Sequence, residues 1–304
     1  MTDDSRPVPT ARDGHDAGER PWRPTAEATQ RATMLRLIAA GLWAVAITAE
    51  AVAIFWLLRQ RETTGDGELR RDPDSGLLVA DGVETTFPQW AFIALLVMLV
   101  VIAALAIGGS ILWKKANRLD PAERSDTVRF FVQNQLGAII AVVAFLPLIV
   151  MIFLNKDMDG RQKGIAGAVG IVLAVIAAVV GVDANPPSVE KYTADQSTVI
   201  QLLGADVVTW VDGGKVFHVC DQVPDIQTGS EIRYGTTAQA VEAGKQRLTL
   251  KFASELEKCG LPVPANSDEI ADALRQIQAG ETVTLPAPEW ADGDTAPIVV
   301  EDAA

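Results

Sequence analysis

The sequence predicts a membrane α-helical fold of four transmembrane helices followed by a small α+β soluble C-terminal domain. Three observations lead there. Four long runs are almost free of charge, the C-terminal third is polar and strongly acidic, and the apolar period inside that third changes from helical to alternating.

The chain has 304 residues, of which 49% are hydrophobic, and a positive mean hydropathy. That is more apolar than a water-soluble domain of this size requires. The excess sits in Leu37 to Leu58, Trp90 to Trp113, Leu136 to Leu154 and Gly164 to Val182. About 20 helical residues at 1.5 Å rise cross a hydrocarbon layer of roughly 30 Å, so each run is long enough for one span. Three of the four contain no charged residue, whereas a helix buried in a soluble core keeps a polar stripe. Trp56, Trp90 and Trp113 stand near the ends of runs and Lys114 and Lys115 follow the second, the depths that indole rings and snorkelling ammonium groups prefer. The expected location is the plasma membrane, multi-pass. Residues 1–33 are rich in Pro, Gly, Asp and Arg and are expected to form a disordered N-terminal tail, with the transmembrane region over 34–184.

Orientation is left open. Six Lys and Arg precede or open the first run, five lie between Lys114 and Arg129, four between Arg59 and Gln89, and three in the loop NKDMDGRQKG. Four full spans with the N-terminus inside would place the C-terminal domain in the cytoplasm. A third segment bent at Pro147 and re-entrant would place it outside.

Glu50 is the one charged residue inside a run, and an intramembrane acid is expected to be protonated, paired or turned to internal water. It is either a proton or cation site or a carboxylic acid that fixes packing. In the fourth run Gly167, Gly170, Ala174, Ala177 and Gly181 recur at three- and four-residue steps and form a helix-packing face for a neighbour in the chain or in a second copy; Gly108, Gly109 and Ser110 offer a matching surface. Between the second and third runs, Ser125 or Asp126 is expected to cap a short interfacial segment with Phe130, Phe131 and Val132 as its apolar face.

Residues 185–285 read as the α+β domain. Asn185, Pro186 and Pro187 end the fourth helix, and Val199, Leu202 and Leu203 have helical spacing. Val207 to Val211 and Lys215 to Cys220 alternate about Gly213-Gly214 and predict a β-hairpin. Helices are expected over TTAQAVEAGK, RLTLKFASELEKCG and NSDEIADALRQIQAG, the last with an Asn266/Glu269 capping box, and ETVTL as a closing strand. Residues 286–304 are expected to be a disordered acidic tail.

From Asn185 onward there are 19 acidic and 8 basic residues, a net of −11, which excludes nucleic acid as a partner because phosphate binding needs clustered cations. Cys220 and Cys259 are the only cysteines and form a disulfide candidate, with free thiols or a metal site as alternatives; His218, Cys220 and Cys259, with Asp221, would be the metal ligands. No metal and no cofactor is expected, since paired CxxC spacing and phosphate-binding glycine loops are missing. Only two histidines are present and no nucleophile-base pattern appears, so no catalytic residue is expected and the chain is read as not an enzyme.

The stretch LWKKANRLDPAERSDTVRFFVQNQLGAIIAVVAFLPLIVMIFLNKDMDGRQKGIAG, with NPPSVEKY and KVFHVC, resembles a group of actinobacterial four-span membrane proteins with a small C-terminal soluble domain, a group that carries no assigned activity. The FHVC stretch is also similar to Tyr-His-x-x-x-Cys modules of some secreted proteins and nucleases, without their terminal CxxC pair. The expected function is a non-enzymatic protein of the bacterial cell envelope that presents an acidic domain for protein interaction. Membrane lipid, other membrane proteins or a second copy are the expected partners. The alternatives are a small transporter or proton-coupled component using Glu50, and a redox or metal sensor using Cys220, Cys259 and His218.

Overall fold

Continuous helices account for all four apolar runs. The structure, a computed structural model, describes residues 21–64, 69–73, 75–80, 84–223, 231–291 and 293–298. In chain order, α1 is Ala26–Phe55, α2 Gln89–Leu119, α3 Thr127–Leu154 and α4 Gly160–Gly181. These four helices are long and apolar enough to cross a membrane. The chain divides into two compact units. One comprises 34–114 and 134–183, the other the segments up to 33, 115–133 and 184 onward.

In the helical unit the usual distribution of side-chain size is inverted. Ala46, Ala53, Ala91, Ala103, Ala106, Ala141, Ala144, Ala166 and Ala177 are buried, with Leu95, Leu99, Ile102, Phe145, Leu148 and Ile152 filling between them. Val97, Val142, Val172, Val175 and Val179 face outward and are exposed. An apolar exterior around small-residue contacts suits hydrocarbon better than water. Pro147 lies inside α3, which runs through it without a break, so this segment has the length of a full span rather than of a bent re-entrant one.

The packing face of α4 meets α3. A Cβ on Gly181 would lie 2.4 Å from the Ala138 backbone nitrogen, and one on Gly170 would lie 3.0 Å from Ile149. Gly108 and Gly109 do not receive this face. They receive Leu42 and Trp43 of α1, and Trp43 Nε1 donates to the Ala106 carbonyl at 3.2 Å. Asp159 and Gln162 form a capping box at the start of α4. Between α1 and α2 lies a nested ribbon that the apolar pattern did not announce: β1 (Glu62–Thr64) pairs with β4 (Glu84–Thr86), and β2 (Leu69–Arg71) with β3 (Leu78–Ala80), both antiparallel. Asn155 donates to the Leu58 carbonyl at 2.8 Å, and Arg61 pairs with Asp157 at 2.8 Å, so the loops before α2 and before α4 are joined.

The second unit takes in more chain than expected. Residues 1–20 of the expected tail lie outside the described residues, but 21–33 are not tail. Trp22 is buried against Tyr192 with ring centroids 4.8 Å apart, and Thr25 caps α1 by accepting from Ala28 while donating to Glu242 at 2.6 Å. A buried indole gives this segment the apolar anchor that its composition lacks. The segment after α2 is not a separate interfacial helix either: Asp126 accepts from Arg129 N at 3.0 Å and caps α3 directly.

The remaining elements are α5 (Val189–Leu203), β5 (Val208–Trp210), β6 (Val216–Phe217), β7 (Arg233–Gly235), α6 (Thr237–Glu242), β8 (Arg247–Leu248), α7 (Phe252–Lys258) and α8 (Ser267–Ala279). The expected hairpin narrows to one bridge, Thr209 with His218, because β5 finds its ladder with β7 and β6 pairs in parallel with β8. Lys245 explains the open turn: its ammonium is buried there and donates to the carbonyls of Val211, Asp212 and Gly214. ETVTL is not a strand, since β8 already occupies the edge it would need. Asn266 does not cap α8; its side chain donates to the Ala287 carbonyl and accepts from Glu289 N, both at 2.8 Å. Part of the expected C-terminal tail is thus held in place, and Ile298 N donates to the Leu203 carbonyl at 2.8 Å. Gly204 permits that contact: it has φ +85° and any Cβ would strike the Ile298 carbonyl at 1.9 Å. Residues 299–304 lie outside the described residues.

Gly181→Ala is expected to lower the stability of the helical unit by about 1–3 kcal/mol through overpacking against the α3 backbone. Gly164→Ala, where a Cβ meets nothing within 4 Å, should be neutral or slightly stabilising. Thermal unfolding of both variants in the same detergent checks the contrast.

Candidate functional site

Three places gather the chemistry-bearing side chains, and the first is Glu50. It is 5% exposed, on the inner side of α1, and its carboxyl group reaches the Leu148 backbone of α3. Oε1 has no hydrogen-bond partner, and among the described residues no Lys, Arg or His pairs with Glu50. The arrangement holds one backbone group and leaves one oxygen over.

The second is the strand-to-helix crosslink. Cys220 and Cys259 are joined as a disulfide with Cα atoms 6.4 Å apart. His218 lies two residues before the first cysteine and Glu255 four before the second, so both face the same way as the sulfurs. His218 Nδ1 meets Glu255 Oε1 at 2.7 Å, Val219 N donates to Glu255 Oε2 at 3.2 Å, and both side chains are buried. Asp221 lies near the two sulfurs, but oxidised sulfurs offer no thiolate and His218 is turned to Glu255. The residues considered for a metal are therefore spent on bridging β6 to α7.

The third was not anticipated. In the soluble unit a cleft of about 140 Å³ is lined by Arg118, Lys191, Asp195, Arg247 and Gln278, with the Asn185 to Pro187 connector at its side. Asp195 is 1% exposed. Oδ1 accepts from Gln278 Nε2 at 2.8 Å, while Oδ2 has no partner. Burial pushes the Asp195 carboxyl up to about 7, against the hydrogen bonds from Gln278 and the Leu248 backbone and the charges of Arg247 and Lys191, which pull it down. Lys191 donates to Asn185 Oδ1 and to the Pro186 carbonyl. Arg247 Nη1 reaches the Leu248 carbonyl and Gln278 Oε1 at 3.3 and 3.4 Å. A sequence signal for Asp195 exists: Tyr192, Asp195, Val199 and Leu202 follow at three- and four-residue steps, so an acid interrupts the buried stripe of α5.

A wider groove of about 530 Å³ is lined by Arg31, Trp210, Arg233, Tyr234, Gln239 and Glu242. Tyr234 is 58% exposed, and the buried Trp210 Nε1 has no hydrogen-bond partner. Among the described residues β7 pairs only with β5, which leaves its other edge open.

Two outcomes follow. Cys220→Ala with Cys259→Ala should cost about 2–4 kcal/mol, and the unmodified chain should bind no thiol reagent until it is reduced. For Asp195 the folded carboxyl titrates above the ordinary value. The stability it contributes is complete below about pH 4 and is lost as pH rises through about 7, on the order of 2–4 kcal/mol. Asp195→Asn should flatten that part of the profile, read from urea midpoints between pH 4 and 8. Comparison with family models, with curated proteins and with solved structures finds no match, so the functional reading rests on these residues alone.

Proposed function

We propose that this chain is a multi-pass protein of the bacterial cell envelope that holds an acidic α+β domain at the membrane surface for contact with another protein, without catalysis of its own. The groove beside β7 carries the reading. Trp, Tyr and Arg dominate the energetics of protein interfaces, and here Trp210, Tyr234 and Arg233 share one groove next to an unpaired strand edge. An extended partner segment laid along β7 would supply the carbonyl that Trp210 Nε1 lacks.

The disulfide supports placing this domain outside the cytoplasm, because such bonds persist in oxidising compartments. Four spans put residues 21–33, 115–133 and 184 onward on one side, and these segments touch one another: Trp22 packs on Tyr192, and Val189 N donates to the Ala122 carbonyl at 3.3 Å. The flanking Lys and Arg bias the other way, but that bias is statistical, whereas the reduction of a cytoplasmic disulfide is chemical.

A reporter active only outside the cytoplasm, fused after Ala304, should be active; an inactive fusion overturns the placement. A photocrosslinker at Tyr234 should give one discrete adduct in intact cells, and the same group at exposed Glu257 should give none. Equal labelling at both positions, or a strictly solitary monomer in mild detergent, counts against the interaction reading.

A further inference from the structure

We propose that the cleft between α5, β8 and the Asn185 to Pro187 connector is a binding site for a small oxyanion that carries its own hydrogen-bond donor, with hydrogen phosphate as the fitting species. The lining is unequal in charge: Arg118, Lys191 and Arg247 face one acid, Asp195. Arg118 makes no side-chain hydrogen bond or ion pair among the described residues. Arg247 commits Nη1 to the Leu248 carbonyl and Gln278 and leaves Nη2 and Nε without a hydrogen bond among them. Guanidinium forks of this kind match the edges of a tetrahedral anion.

Asp195 then selects which anion. Its Oδ2 is a buried acceptor with no partner, and a buried acceptor left unpaired costs free energy. A ligand that satisfies it must bring an O–H or N–H. An ammonium would bring its charge among three cations, so a zwitterionic amino acid is disfavoured. A hydroxyl on an oxyanion satisfies both demands, with P–OH donating to Asp195 while the remaining oxygens accept from the arginines. Sulfate has the same shape and charge but no proton to donate at neutral pH. A cleft of about 140 Å³ has ample room for one tetrahedral anion together with waters. Tyr192 and Pro187 close its apolar side. The raised affinity of Asp195 for a proton fits a site in which one proton is shared between carboxylate and phosphoryl oxygen.

Isothermal titration of the full chain in detergent at pH 8, with inorganic phosphate and then sodium sulfate, tests this. Phosphate should bind with one site per chain, and sulfate should bind tenfold to hundredfold more weakly, about the penalty for an unpaired buried acceptor. Arg118→Gln should weaken phosphate about tenfold, and Asp195→Asn, which keeps shape but can donate, should erase the preference for phosphate over sulfate while the chain stays folded by circular dichroism. A third titrant, methyl phosphate, whose monoester has lost its proton at pH 8 and which carries no other hydroxyl, should behave as sulfate does; if it or vesicles containing phosphatidic acid bind better than phosphate, the ligand is an esterified headgroup and the assignment to free hydrogen phosphate is overturned. Equal binding of sulfate and phosphate to the unaltered chain, or no heat with phosphate on folded protein, overturns the site itself.

Discussion

The soluble unit depends on the link between β6 and α7. Its core is small, with Phe217, Leu248, Phe252, Leu256, Leu202 and Leu274 among the fully enclosed side chains, and its strands are two or three residues long. Ladders that short contribute little without a helix packed across them. The Cys220 to Cys259 bond and the His218 to Glu255 contact supply the packing constraint twice, once covalently and once by hydrogen bonding, between the same strand and the same helix. Glu255 also satisfies the N–H of Val219, which lies beyond the short pairing of β6 with β8. With α7 fixed, Phe252 and Leu256 are presented to the core, and α8 can close over them.

Asp195 belongs to the same economy of polar groups, but its position is strained. Gln278 of α8 bonds both Asp195 and the Leu248 carbonyl, so one amide ties α5, β8 and α8 together. That benefit needs only one carboxylate oxygen. An asparagine would keep the hydrogen bond to Gln278 through its carbonyl oxygen and would not carry the cost of burying a charge. A structural role therefore accounts for the contacts with Gln278 and the Leu248 backbone, and leaves Oδ2 without a partner beside three cations.

The four long apolar helices were legible because length and composition decide them: runs such as Trp90 to Trp113 are long and apolar enough to cross a hydrocarbon layer. The helix-packing face on α4 was legible in the same way, from the spacing of its small residues, whereas its partner was not, since Gly137 of α3 is a lone glycine with no pattern around it. In the soluble unit the cysteine pair could be read, but strand partners could not. β5 pairs with a strand more than twenty residues away, β6 pairs in parallel with β8, and three-residue strands show no alternation long enough to mark them. Trp22 was misread because tail composition was averaged over thirty residues, while burial there depends on one indole. Asp195 was passed over because an acid on an amphipathic helix reads as solvent-facing unless its register is followed residue by residue.

Glu50 shows why register decides meaning inside the membrane unit as well. Its neighbours on α1 toward the bundle are alanines, Ala46 and Ala53, and small side chains let α1 approach α3 closely enough for a carboxyl group to touch backbone. The acid is thus placed by the same small-residue packing that holds the four helices together. Its contact with Leu148 lies beside the one proline inside α3, where a helix surrounded by hydrocarbon most needs an outside partner for its backbone. Glu50 is therefore held at one backbone contact while its Oε1 stays without a partner, the same half-satisfied state that Asp195 shows in the other unit.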